Sequence, residues 1–332
     1  MEYRKLGRSD LEVSAICMGC WALAGGTVWG DQDEQAAIGA LRTAVDVGVN
    51  FFDTAEGYGA GASEAILGRA FKGMRDKAII ATKVSPNNMH PADLRAACER
   101  SLSYLQTDYI DVYYLHWSNW DIPFEETMGE MLKLKEEGKI RAVGCSNFGV
   151  KDLGAMLEIS HVDVNQLAYN LLFRPIEYEI VPACLANDVS VATYSPMLHG
   201  ILTGKFATLD DIPDERARTR HFSSARRPMT RHGGPGAEQE TAQAMTRIRE
   251  ICDEAGLPMA QVSLAWLLRR PAVATVIAGA RSPEQIKSNA AAAALELTDD
   301  MVTALNEATE PLRVAFGTNA DMWDTGENCR IR

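Results

Sequence analysis

Between Val49 and Lys83 the chain reads VNFFDTAEGYGAGASEAILGRAFKGMRDKAIIATK, and this stretch contains one complete unit of the fold. Asn50–Asp53 is a short apolar run ending on an acid, which predicts a buried strand. A glycine-rich turn follows, then a helix over Ser63–Phe71 and a second strand over Ala78–Lys83. Strands joined by a helical crossover must pair in parallel. Upstream, Val13–Met18 predicts a strand and Glu34–Val47 a helix, with apolar residues at three- and four-residue spacing.

Downstream the rhythm continues. Pro91–Tyr104 predicts a helix opened by Pro91 and Asp93, followed by a strand at Ile110–Leu115 and a helix at Phe124–Glu137. Strand Ile140–Cys145, helix Val150–Glu158, strand Val164–Ala168, helix Ile176–Asn187 and strand Val189–Tyr194 come next. After an interruption, helices over Glu238–Ala255 and Met259–Arg269 lead to strand Ala274–Ala278 and helices Pro283–Ala293 and Asp299–Thr309. About eight strands, each followed by a helix, predict an α/β chain closed into a (β/α)8 TIM barrel. No linker divides it, so residues 1–332 read as a single barrel domain. Two segments break the pattern. A long loop near 200–236 contains Arg216–His232, with six arginines and no acid, and the tail 313–332 reads as irregular.

Composition excludes several classes. Hydrophobic residues are 46% and charged residues 23% of 332, ample for a core and unlike a disordered chain. Mean hydropathy is -0.14, and no run approaches the roughly 20 apolar residues that span a bilayer. Met1–Lys5 leads into no apolar signal segment, so a cytoplasmic location is expected. A net charge of -12 and a pI near 5.1 argue against a nucleic-acid partner. The 7 cysteines are odd in number and scattered, which suits reduced thiols rather than a disulfide framework. Cys17 and Cys20 form a C-x-x-C, but a redox pair normally opens a helix and a zinc site needs a second pair. They read as buried thiols, and no metal is expected.

Active sites of parallel barrels lie at the carboxyl ends of the strands. There the chain places Asp53, Lys83, His116, Ser146-Asn147 and Gln166, with Tyr58 in the loop after Asp53. Each alone has an ordinary structural reading; together at consecutive strand ends they point to a site. Gly57-Tyr58-Gly59-Ala60-Gly61-Ala62 also fits G-x-G-x-x-A, the dinucleotide fingerprint of doubly wound folds. That fold wants an acid ending the next strand, where this chain has Lys83. No tyrosine starts a Y-x-x-x-K pair.

Asp53-Thr54-Ala55-Glu56-Gly57-Tyr58-Gly59, with Ser63-Glu64 and Leu67-Gly68, closely resembles the aldo-keto reductase signature. Ala81-Thr82-Lys83, Leu115-His116-Trp117, Gly138–Arg141, Gly144–Phe148, Tyr194-Ser195-Pro196, Gly200–Lys205 and Gly279–Ser282 continue the resemblance from Tyr3 to about Thr309. It implies a catalytic set of Asp53, Tyr58, Lys83 and His116, reducing an aldehyde or ketone with a nicotinamide cofactor. In that reading Tyr58 is the general acid. Lys83 would lower its pKa, Asp53 would hold Lys83, and His116 would orient the carbonyl.

The resemblance also implies cofactor contacts. Gly19, Trp21 and Asp53 are among them; the nicotinamide carboxamide is read by Ser146, Asn147 and Gln166, and its ring stacks on Tyr194. Ser195, Met197, Gly200, Leu202 and Lys205 follow the pyrophosphate, while Gly279, Arg281, Ser282, Gln285 and Asn289 hold the adenosine end. Arg281 with Ser282 suits a 2′-phosphate and so favours NADP(H), with NAD(H) as the alternative. Ser288 departs from the family, which usually has an acid there.

A small-molecule substrate is expected, with Trp21, Trp29, Trp117 and Trp323 as candidate cleft walls, joined by Phe316 and Met322. Ordinary packing is the competing reading of these residues. The arginine-rich segment reads as a solvated, mobile loop; closing over cofactor phosphates or attracting an anionic substrate are the alternatives. Two rival functions stay open: oxidation of a sugar or polyol, and a cofactor-sensing regulatory subunit with little turnover.

Overall fold

Residues 1–26 and 29–332 are described by the computed structural model. The chain opens with a hairpin that the sequence reading had missed: β1 (Tyr3–Lys5) pairs antiparallel with β2 (Glu12–Ser14). Val13–Met18, expected as one strand, is therefore divided between β2 and β3 (Ile16–Gly19). Leu6, Leu11 and Val13 are buried with Cys17, Phe51 and Ala81. Gly7 donates its N–H to Ser190 Oγ at 2.8 Å, beside the first residues of a barrel strand. The hairpin thus plugs the amino-terminal end of the barrel with apolar side chains.

Seven more strands complete a closed parallel barrel: β4 (Phe51–Asp53), β5 (Ile79–Val84), β6 (Ile110–Leu115), β7 (Ile140–Ser146), β8 (Val164–Ala168), β9 (Ser190–Tyr194) and β10 (Val273–Gly279). Each pairs with its successor, and β10 returns to β3 through Val276↔Ile16 and Gly279↔Gly19. Strand side chains alternate in direction. Phe51, Ala81, Tyr114, Ala142 and Val164 fill the barrel, while Phe52, Ile80, Tyr113 and Val143 pack outward under the helices. Gly144 matters here because a Cβ would stand 2.5 Å from the Tyr114 ring, which occupies the barrel interior.

The helices are α1 (Glu34–Asp46), α2 (Ala62–Ala70), α3 (Pro91–Leu105), α4 (Phe124–Glu136), α5 (Val150–Ile159), α6 (Ile180–Ala186), α7 (Glu238–Ala255), α8 (Met259–Leu268), α9 (Pro283–Ala291) and α10 (Asp299–Phe316). None is long and apolar enough to cross a membrane among the described residues. Two depart from expectation, both at prolines. The helix predicted over Ile176–Asn187 is a 3-10 turn at Pro175–Glu177 and then α6. Pro182 sits in the first turn of α6, where its ring forbids a continuous helix through Tyr178, four residues back. Conversely, α10 runs through Pro311 to Phe316, so residues 313–316 are helix rather than irregular tail. The carbonyl that Pro311 cannot bond belongs to Glu307, which is exposed to water.

The arginine-rich segment is the solvated loop expected only in its second half, where Ala225, Arg226, Pro228, Met229 and Arg231 are exposed. Ala217, Thr219, His221 and Phe222 are buried. Arg220 donates to the carbonyls of Asn319 (2.9 Å) and Asp321 (3.1 Å), and Arg227 to Ile212 O and Asp214 Oδ1, both at 2.9 Å. Arg226 donates to Glu238 Oε2 at 2.8 Å. Three of its arginines are thereby structural ties.

Candidate active site

The alternation that fills the barrel also builds the site. Continuing the inward-facing positions to the carboxyl end of each strand gives Gly19, Asp53, Lys83, His116, Ser146, Gln166, Tyr194 and Gly279. Each stands an even number of residues beyond an inward residue of its own strand. One layer of polar and glycine positions therefore sits on an apolar barrel core. All but Lys83 line a cleft of about 910 Å³; Lys83 is fully buried just beneath it.

Lys83 Nζ donates to Asp53 Oδ1 and to Thr54 O, both at 2.7 Å, and to Tyr58 OH at 3.3 Å. The neighbouring positions point outward and are tied to α2. Thr82 Oγ1 donates to Glu64 Oε1 at 2.6 Å, and Thr54 Oγ1 to Ser63 Oγ at 2.8 Å. The turn before α2 fits closely: at Gly61, with φ +90°, a Cβ would lie 2.5 Å from the Tyr104 ring. The G-x-G-x-x-A stretch is thus a tight entry to α2 on a closed barrel, not the phosphate loop of an open sheet. Arg141, from another motif of the resemblance, stands at the opposite end of β7, where its Nη1 lies 2.7 Å from Asp111 Oδ1.

Charge in this layer follows from burial. Burial acts against the Lys83 ammonium, but Asp53 and Tyr58 outweigh it, and the pKa is raised. The expectation that Lys83 would lower the Tyr58 pKa is corrected: burial pushes the phenol up, and the Lys83 ammonium offsets only part. Tyr58 is a protonated phenol through the neutral range. His116 is driven down to about 3, first by burial and then by Lys83, so its imidazole is neutral. Its ring meets Tyr58 edge-on, with centroids 6.0 Å apart. Cys17 and Cys20 are buried free thiols whose pKa values burial raises, so neither supplies a thiolate.

Ser146, Asn147, Gln166 and Tyr194 form one network. Gln166 Nε2 donates to Asp53 Oδ2 at 2.7 Å, Ser146 Oγ to Gln166 O at 3.0 Å, and Tyr194 OH to Asn147 Oδ1 at 2.7 Å. Asn147 Nδ2 reaches His116 O at 3.2 Å from a backbone at φ +65°. Beyond β9 the chain turns sharply, with positive φ at Ser195, Leu198, His199 and Gly200, and brings Ser195, Met197, Gly200 and Lys205 to the cleft wall. Leu202 does not join them. Its side chain is in the core, and its N–H is used on Met197 O at 3.2 Å. At the other end Gly279, Arg281, Gln285 and Asn289 line the cleft, whereas Ser282 is the N-cap of α9 and lies outside it. Arg281 is already engaged: its Nε donates to Gln32 Oε1 and its Nη1 to Trp29 O, both at 2.7 Å.

Trp21, Trp29, Trp117 and Trp323 all reach the cleft. Trp21 lies 6.1 Å from Tyr58 by ring centroids and meets Trp29 edge-on at 5.4 Å. Trp323 is parallel to Tyr194, 11° between planes and 6.0 Å apart, and packs edge-on against Trp117. Phe316 and Met322 are not cleft walls. Phe316 packs on Phe173 and His221, and Met322 is fully buried. The sequence reading missed Arg330, which lines the cleft with its guanidinium 3.9 Å above the Trp117 ring, and the buried His199. Arg330 follows no strand, and His199 lies five residues beyond the end of β9, so no periodic signal marked them. Among the described residues no cluster of His, Cys, Asp and Glu could hold a metal ion.

The profile of the Aldo/keto reductase family matches residues 15–310. An NADH-specific methylglyoxal reductase of Escherichia coli is 32% identical over 330 residues, covering 92% of this chain and 98% of that protein. Among solved structures, an aldo/keto reductase of Klebsiella pneumoniae in complex with NADP and acetate is 31% identical. It covers 92% of this chain and 95% of its own, with a TM-score of 0.73. The glycerol dehydrogenase of Gluconobacter oxydans superposes with a TM-score of 0.80 at 28% identity, over 93% and 95% of the two chains.

Proposed function

The chain belongs to the aldo/keto reductase family, and from that premise we propose that it reduces an aldehyde or ketone to an alcohol with NADP(H), Tyr58 supplying the proton. The observation that carries this reading is the buried contact of Lys83 Nζ with Asp53 Oδ1 (2.7 Å) and Tyr58 OH (3.3 Å) at the floor of the cleft. Reduction needs a proton on oxygen as a hydride reaches carbon, and a buried neutral phenol is that proton's source. Lys83 stabilises the phenolate left behind, and Asp53 and Thr54 O fix the ammonium in place. Neutral His116 has an N–H to donate to the carbonyl oxygen without bringing a second cation beside Lys83.

The lining fits a dinucleotide. The cleft is large enough, His199 has no partner on either ring nitrogen, and Lys205 and Arg216 lie on it without a carboxylate partner among the described residues. Ser146, Asn147, Gln166 and Tyr194 would hold the nicotinamide end, Ser195 to Lys205 the pyrophosphate, and Arg281 with Gln285 and Asn289 the adenosine end. The bound cofactor supplies the hydride that no side chain can. NADP(H) is preferred because a guanidinium forks onto phosphate oxygens, although all three nitrogens of Arg281 already donate, to Gln32, Trp29 O and Asp31 O; the NADH-specific relative keeps NAD(H) as an alternative. Similarity to a glycerol dehydrogenase favours one second reading, polyol oxidation by the same residues in reverse. Unpaired cysteines support a reducing, cytoplasmic setting.

The test is titration with NADPH and NADH followed by turnover on a carbonyl panel, then on polyols with NADP+. Tight NADPH binding, turnover of aldehydes, and a loss of about a hundredfold or more in Tyr58→Phe with unchanged NADPH affinity are expected. Full activity in Tyr58→Phe would refute the assigned proton donor.

A further inference from the structure

Five cations that line the cleft have no carboxylate partner among the described residues, and we infer that two of them, Arg218 with Arg231, bind an anionic group on the carbonyl substrate. This rests on the reductase reading above. Among the described residues six cations line the cleft, Lys205, Arg216, Arg218, Arg231, Arg281 and Arg330, against one acid, Asp53, which Lys83 already engages.

They fall into three sets. Arg330 is neutralised by Asp321, to which it donates from both Nε and Nη2 at 2.9 Å. Lys205, Arg216 and Arg281 gather toward the Gly279 end. There Arg216 lies 4.2 Å over the Trp29 ring, whose carbonyl Arg281 holds, and Arg216 depresses the Lys205 pKa after burial does. That set is placed for the phosphates of the cofactor. Arg218 and Arg231 remain. Neither has a carboxylate within ion-pair distance among the described residues, and Arg218 Nε is buried with no hydrogen-bond partner.

Arg218 stands near enough to Arg216 and His199 for their charges to act on one another, and its aromatic neighbour leads to the catalytic end. The Arg218 guanidinium lies 5.9 Å from the Trp21 ring, and Trp21 lies 6.1 Å from Tyr58. It therefore stands one indole away from the proton donor. Burial, then Arg231 and Arg216, lower the Arg218 pKa, so a nearby anion would relieve both repulsion and desolvation. A guanidinium matches the two oxygens of a carboxylate or phosphate. With the carbonyl held by Tyr58 and His116, an anionic end held by Arg218 and Arg231 fixes the substrate at two points, which aligns the reacting carbon. The chemistry points to a short aldehyde or ketone bearing a carboxylate or phosphate a few bonds from the carbonyl.

Matched pairs test this: succinic semialdehyde against butanal for a carboxylate, and glyceraldehyde 3-phosphate against glyceraldehyde for a phosphate. The readout is the ratio of kcat/KM within each pair at low ionic strength, with NADPH affinity measured separately by fluorescence. One pair should favour its anionic member by about tenfold or more, the size a charge-assisted hydrogen bond carries. Arg218→Gln and Arg231→Gln should bring that ratio toward unity through KM, with NADPH affinity little changed. Arg231 is exposed, so its variant tests the idea even if Arg218→Gln folds poorly, and Arg218→Lys should keep part of the preference. Preference for the neutral member in both pairs would overturn the assignment. So would weakened NADPH binding with the ratio intact, which would give these arginines to the cofactor. Absence of any carbonyl turnover despite NADPH binding would overturn the reductase reading and this inference together.

Discussion

Tyr58 and His116 face each other where burial outweighs the neighbouring charges in setting protonation. Burial raises the phenol and lowers the imidazole, so both reach neutral pH uncharged. For carbonyl reduction the active forms are protonated Tyr58 and neutral His116. Tyr58 is lost only above its raised pKa, and His116 gains a proton only near about 3. At saturating NADPH, kcat/KM for a neutral aldehyde should therefore be level from about pH 5 to about pH 9, with no inflection near the ordinary histidine pKa. An inflection there that disappears in His116→Asn would show that His116 titrates in the working enzyme and would sink this account. His116 was legible because strand ends are a sequence property, and Tyr58 because it lies in the loop after one, within the stretch that resembles the family signature. The direction of the Tyr58 shift was not, since it depends on how completely the assembled barrel excludes water.

The tail after α10 is the element least legible in the sequence, because its partners are far along the chain. Asp321 is fully buried and takes both arms of Arg330, the N–H of Trp323 (3.0 Å) and the N–H of Arg330 (3.2 Å). Arg220 clasps the same segment from outside through Phe316 O, Asn319 O and Asp321 O. These bonds set Trp323 against Tyr194 and Trp117 as a wall of the cleft. Asp321→Ala would leave Arg330 with Asp324, at 3.5 Å, as its remaining carboxylate and would strip the Trp323 and Arg330 N–H groups of their acceptor, at about 1–3 kcal/mol for each buried donor left unpaired. The cost should fall on the tail, since the barrel strands do not depend on it. Limited proteolysis should cut the variant beyond Gly317 before any cut in the barrel, and KM for aromatic aldehydes should rise. A variant cleaved no faster than the parent would mean that the Arg220 clasp alone holds the wall. The prolines teach the same lesson on a smaller scale. Pro182 and Pro311 have the same chemistry, yet one stands in the first turn of its helix and the other in the interior of a longer one.

At the scale of the molecule, the alternation of strands and helices was enough to read the barrel, since parallel pairing and closure follow from it. The cleft belongs to the assembled barrel alone. Its walls come from positions as far apart as Gly19 and Arg330, so no part of the unfolded chain can reproduce them. NADPH should therefore bind the native state only, and stabilise it by about 2.7 kcal/mol when its concentration is a hundred times Kd. The melting temperature should keep climbing with the logarithm of NADPH concentration well past stoichiometric saturation. NADH should give a smaller rise at equal concentration if Arg281 takes a 2′-phosphate, and Arg281→Ala should bring the two curves together. Equal curves in the parent would leave the 2′-phosphate without a partner here. The loop at residues 29–32 that Arg281 fastens through Trp29 O and Gln32 would then be the reason this arginine stands where it does.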